Sequence, residues 1–149
     1  MYIDFIPDGK CYYCGDEYKQ YMKPVFENEY ANVYMAGYQK YYPGRCIVVL
    51  KAHKREMFEL TPEEISGFYE AVSIISGAIA KTFKCDKLNY GSCGDTNPHF
   101  HMHIVPKIEG GYTWGQLFEM LPPEKDRILI DEAELDEMIA KLRQAIKEG

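Results

Sequence analysis

Hydrophobic and polar positions follow two different periods along the chain. In YANVYMA (30–36), Asn32 and Tyr34 alternate with Val33 and Met35, which predicts a strand. After a Tyr-Pro-Gly turn, RCIVVL (45–50) is short, β-branched and almost continuously apolar, as a buried strand would be. The period then lengthens. In LTPEEISGFYEAVSIISGAIAKTF (60–83), Ile65, Phe68, Val72, Ile75 and Ile79 recur at three- and four-residue steps and predict a long helix with one buried face. Thr61 is the expected N-cap, with Pro62 at the first helical position and Glu64 completing a capping box. Gly67 and Gly77 oppose this helix by about 1 kcal/mol each relative to alanine. KLNYGSCGDTNP (87–98) is turn-rich, and PHFHMHIVPK (98–107) then alternates again, predicting a strand over 99–105. A loop, KIEGGYTWG, follows. A second helix is expected over about 131–147, opened by Asp131 and Glu134, with Leu135, Met138, Ile139, Leu142 and Ile146 as its stripe. Neighbouring strands with separate long helices predict an antiparallel sheet carrying helices, class α+β.

The length of 149 residues suits one domain, 1–149, with a single core. Hydrophobic residues at 46% and charged residues at 27% argue against disorder. The net charge of −6 disfavours a nucleic-acid partner, so any polyphosphate must be met by a local site. No segment approaches the roughly 20 apolar residues of a membrane span, and no membrane partner is expected. The start, MYIDFIPDGKCYYC, carries two aspartates and one lysine, unlike a secretory signal, so a cytoplasmic location is expected. Five cysteines, an odd number, argue against a disulfide framework. Cys46 lies in an apolar run as a small core residue, whereas Cys11 and Cys14 form C-x-x-C, either a redox pair or half of a metal site.

Three of the four histidines lie within five positions. On a strand, His99, His101 and His103 share one face about 6.5–7 Å apart, while Phe100, Met102 and Ile104 face the long helix. Such a face could be merely polar, could bind zinc through H-x-H, or could perform nucleophilic catalysis on phosphorus. The adjoining loop favours phosphorus, because its glycine amides, the Thr96 hydroxyl and its asparagines are the donors phosphate oxygens need.

HFHMHIV resembles the H-φ-H-φ-H-φ-φ signature (φ hydrophobic) of the histidine-triad, or HIT, superfamily of nucleotide hydrolases and transferases. The order of motifs is similar as well. A C-x-x-C segment (8–20) precedes a strand ending in Lys51-Ala52-His53, then come LTPEE, an Asn-and-Gly loop, and the triad closed by Pro106-Lys107. The resemblance implies a HIT-like fold with a sheet of about five strands, a nucleotide as small-molecule substrate, and a homodimer. It implies that His101 is the nucleophile on the α-phosphorus and that His103 contacts the scissile phosphate. Asn89, matched with a one-residue gap, Gly94 and Thr96 would line the phosphate and leaving-group side. It also implies a structural zinc ion, Zn2+, on Cys11, Cys14, His53 and His99, a closed set with no position open for water.

Three positions depart from that pattern. Arg45 follows Gly44 where relatives commonly have histidine; it could hold phosphate or be a surface residue. Gly37 falls near a ribose-binding aspartate, and Asp95 replaces a glutamine. The resemblance implies a hydrolase of nucleoside polyphosphates or phosphoramidates; Gly37 and Asp95 point to the alternative, a nucleotide-binding or sensor module, which the complete triad opposes. Nucleotidyl transfer to a sugar phosphate is opposed by His103, since that branch commonly has glutamine there. Tyr112 and Trp114 are candidates for stacking on a base or meeting a partner subunit.

Overall fold

The computed structural model describes residues 10–149; the start of the chain, including the first two positions of the expected 8–20 segment, lies outside the described residues. Strands β1 (Met22–Glu27), β2 (Ala31–Ala36) and β3 (Cys46–Leu50) lead into helix α1 (Pro62–Phe83). Then come β4 (Lys87–Gly91), β5 (His101–Lys107) and helix α2 (Glu132–Glu148). The sheet order is β1-β2-β3-β5-β4, with every neighbouring pair antiparallel. This is the expected α+β class. Among the described residues, no helix is long and apolar enough to cross a membrane.

Helix α1 starts where its capping box places it. The Thr61 hydroxyl accepts from the Glu64 amide at 3.1 Å, and the Glu64 carboxylate accepts from the Thr61 amide at 2.9 Å. Phe68, Ala71, Val72, Ile75 and Ile79 pack against Val33, Met35, Cys46, Val48 and Ile104 of the sheet, and Leu135, Ile139 and Leu142 of α2 complete that core. Ile65, expected in the buried stripe, is 39% exposed. Glu64 takes the inward place, because its carboxylate also pairs with Lys54.

The edge strands β1 and β4 carry weak patterns, which is why neither is evident as a strand in the sequence. Pro24 interrupts β1, where the pairing with β2 shifts register, as an edge strand tolerates. The first five residues of the turn-rich 87–98 stretch are in fact strand, pairing Lys87–Gly91 with His103–Lys107. Strand β5 begins two residues later than expected. The His99 amide donates to the Asn97 carbonyl at 2.7 Å, so His99 belongs to the turn that enters the strand.

Gly67 of α1 lies against Tyr30. A Cβ there would sit 2.3 Å from Tyr30 Cδ2 and 2.9 Å from its Cγ, while one on Gly77 would meet nothing within 4 Å. We expect Gly67→Ala to lose about 1–2 kcal/mol despite alanine's helix propensity, and Gly77→Ala to gain up to about 1 kcal/mol. Urea denaturation of both variants checks this, and a stabilised Gly67→Ala would contradict it.

Candidate active site

The register of β3 with β5 sets His101 opposite Val49 and His103 opposite Ile47. Both imidazoles therefore lie on the sheet face away from the helices, beside a second apolar cluster that includes Met22, Tyr34, Ile47 and Val49. Both are buried. His101 Nδ1 is 2.6 Å from the His99 carbonyl oxygen. A carbonyl only accepts, so Nδ1 carries the hydrogen and Nε2 keeps its lone pair. Burial lowers the His101 pKa, opposed in part by that bond, and the ring is neutral at pH 7.

His103 lies edge-on to His101, with ring centroids 5.3 Å apart. Its Nδ1 is 3.0 Å from an Arg45 Nη2. Burial first, then the neighbouring Arg45 charge, pushes its pKa down to about 2. Arg45 is no surface residue. It is only 5% exposed, donates from Nη1 to the Glu119 carbonyl at 2.9 Å, and has a pKa lowered by burial to about 10, so it stays cationic.

These groups line a cavity of about 700 Å³, a size suited to a small-molecule ligand. The loop from Cys93 to Asn97 forms part of its wall, which brings Gly94, Asp95 and Thr96 to the imidazoles. Asn89 is not in that wall; it lies on β4 opposite Val105, further along the same sheet face as His103. Position 37 has no room for a carboxylate side chain. A Cβ there would stand 2.7 Å from the Tyr21 carbonyl oxygen and 2.7 Å from Leu129 Cδ2, and the Gly37 amide donates to that same carbonyl. Tyr112 stacks on Tyr41 at 4.2 Å instead of entering the cavity, and Trp114 is likewise absent from the wall.

What the sequence did not reveal is the aromatic side of the cavity, made by Tyr12, Tyr13, Tyr21 and Tyr38. The Tyr13 ring lies 4.9 Å from that of His101. The available signal was Tyr12-Tyr13 itself, held between Cys11 and Cys14.

Cys11, Cys14, His53 and His99 gather beside this cavity, with one ligand atom from each within 4.8 Å of all the others. His99 Nδ1 lies 3.4 Å from both sulfurs and 3.2 Å from His53 Nδ1, and His53 Nδ1 lies 3.2 Å from Cys14 Sγ. Ordinary zinc bond lengths in a tetrahedron separate two nitrogens by about 3.4 Å and nitrogen from sulfur by about 3.6 Å. The set fits one such ion. His99 Nε2 also lies 2.6 Å from the Leu50 carbonyl, which holds the hydrogen there and makes Nδ1 the atom that would meet a metal.

Fold and site together define an α+β domain with an imidazole-lined cavity on the sheet face opposite its helices. Residues 19–110 match the HIT domain, and the chain belongs to that family. One relative is an asymmetrical bis(5'-nucleosyl)-tetraphosphatase of Schizosaccharomyces pombe. It is 28% identical over 80 residues, covering 50% of this chain and 44% of that protein, so the chain spans less than half of that relative's length. Among solved structures, a histidine triad protein of Bradyrhizobium japonicum has a TM-score of 0.74 at 23% identity over 87% of this chain and 94% of its own. A Zn-bound histidine triad family protein of Mycobacterium smegmatis has a TM-score of 0.62 at 19% identity, covering 95% and 96% respectively. The family thus includes nucleotide hydrolases.

Proposed function

We propose that this protein hydrolyses nucleoside polyphosphates or phosphoramidates at the α-phosphorus, through a covalent nucleotidyl intermediate on His101. The observation that carries the reading is the 2.6 Å bond from His101 Nδ1 to the His99 carbonyl, which leaves a neutral Nε2 lone pair in a ligand-sized cavity. That lone pair attacks the α-phosphorus as the bond to the leaving group breaks. A phosphate leaving group departs as its own anion, and an amine takes up a proton from solvent. Water then attacks the phosphorus, the phosphorus–nitrogen bond breaks, its electron pair returns to Nε2, and the water proton passes to solvent. Gly94, Thr96 and His103 line the same cavity as His101; in this reading the Thr96 hydroxyl and the Gly94 amide hold phosphate oxygens and His103 contacts the scissile phosphate. Asn89 is further away, so its role would be the weakest of the five.

Cys11, Cys14, His53 and His99 would hold a structural zinc ion. With all four positions taken by protein, such an ion supplies cross-linking rather than an activated water. It would fasten the Tyr12-Tyr13 pair against the cavity.

Asp95 in the cavity wall and the crowding at Gly37 favour the second reading, a module that binds nucleotide without cleaving it. Incubation with adenosine phosphoramidate and with diadenosine polyphosphates separates the two. Catalytic release of AMP is the expected result. Saturable binding of the same compounds with no AMP over many hours would make the protein a binding module.

A further inference from the structure

We propose that Arg45 is a positioning residue that locks His103 as the Nε2–H tautomer, making His101 and His103 an acceptor–donor pair. The inference deepens the hydrolase reading and rests on it for its catalytic meaning. A guanidinium has five donors and no acceptor, so the 3.0 Å contact from Arg45 Nη2 requires a lone pair on His103 Nδ1. A neutral ring then carries its hydrogen on Nε2. His101 has the opposite assignment, because its Nδ1 faces the His99 carbonyl. Two adjacent imidazoles on one strand face thus present a lone pair from one Nε2 and a hydrogen from the other. Attack on phosphorus needs both: a nucleophile, and a donor for the oxygen charge that grows as the leaving group departs.

Arg45 is itself rigidly placed. It is only 5% exposed, its Nη1 is held by the Glu119 carbonyl, and its guanidinium carbon lies 5.9 Å from the Tyr42 ring and 5.5 Å from the Phe118 ring. The acceptors that hold it are neutral, and among the described residues no carboxylate forms an ion pair with it. A buried cation in a cavity wall without an acidic partner is completed by an anionic ligand. The polyphosphate chain is such a ligand. Histidine at this position could be neutral and could accept or donate, whereas arginine is fixed as a cationic donor.

Nitrogen-15 NMR of histidine-labelled, zinc-supplemented protein at neutral pH, without nucleotide, tests this directly. In the wild type, His103 is expected to show a protonated Nε2 and an unprotonated Nδ1, and His101 the reverse. Arg45→Met should release His103 into a tautomer mixture and lower kcat by about 10²-fold or more, with a smaller change in KM. Arg45→Lys, which keeps a cationic donor, should restore part of the tautomer bias and part of the rate. A protonated His103 Nδ1 in the wild type overturns the proposal without any variant, so poor folding of Arg45→Met cannot shield it. A folded Arg45→Met that keeps the Nε2–H signal overturns it too. If the NMR result is as expected but no nucleotide is cleaved, the tautomer assignment stands and the hydrolase reading fails.

Discussion

His101→Asn is expected to lower AMP release by about 10³-fold or more at saturating substrate, with an almost unchanged melting temperature. The asymmetry follows from what the ring does. In the proposed reaction its Nε2 provides the attacking lone pair, while its structural part is one bond from Nδ1 to the His99 carbonyl and contact with Tyr13 and His103. Asparagine fills part of the same space and can still donate to that carbonyl, but its amide nitrogen is not a nucleophile. Nucleotide affinity should stay within a few-fold of wild type, since the loop from Cys93 to Asn97 and the tyrosine wall are untouched. Steady-state kinetics with calorimetric binding of a non-cleavable analogue measure both quantities. Activity retained within tenfold would place the nucleophile elsewhere.

Metal removal should have the second largest effect. Chelation, or Cys14→Ser, is expected to destabilise the protein by more than about 3 kcal/mol, because a zinc set assembled only in the folded chain contributes its binding energy to folding. The four proposed ligands come from distant parts of the sequence: the turn before β1, the residues after β3 and the entry to β5. Losing the ion would also loosen Tyr12-Tyr13, so KM should rise more than kcat falls. Elemental analysis should find one zinc per chain, and melting curves with and without chelator should differ, with zinc restoring the original curve. A chain without bound metal whose melting is indifferent to added zinc would contradict this account.

The centre of the fold is legible in the sequence because buried elements there combine periodicity with end signals. Thr61, Pro62 and Glu64 announce α1, and the β-branched run of β3 can only be core. The edges are less legible. A strand that pairs on one side can hold Pro24, or Asn89 and Gly91, without the alternation that a buried strand needs. The histidines stand out because an uncommon residue repeats at strand spacing. Arg45 is the opposite case. In a one-dimensional pattern its charge fits a surface residue as well as a phosphate-holding one, and only the three-dimensional register of Ile47 with His103 brings its side chain onto that imidazole. Gly37 is similar: its meaning lies in the crossing of the Tyr21 carbonyl and Leu129, residues remote in sequence.

The central claim is that His101 Nε2 becomes bonded to phosphorus. Rapid acid-free quenching of wild type with adenosine phosphoramidate or a diadenosine polyphosphate, followed by intact-protein and peptide mass spectrometry, tests it most directly. One adenylyl group on the peptide containing His101, absent from His101→Asn, is the predicted result. AMP formed at full rate with no adduct at any quench time, or an adduct that persists in His101→Asn, would contradict it.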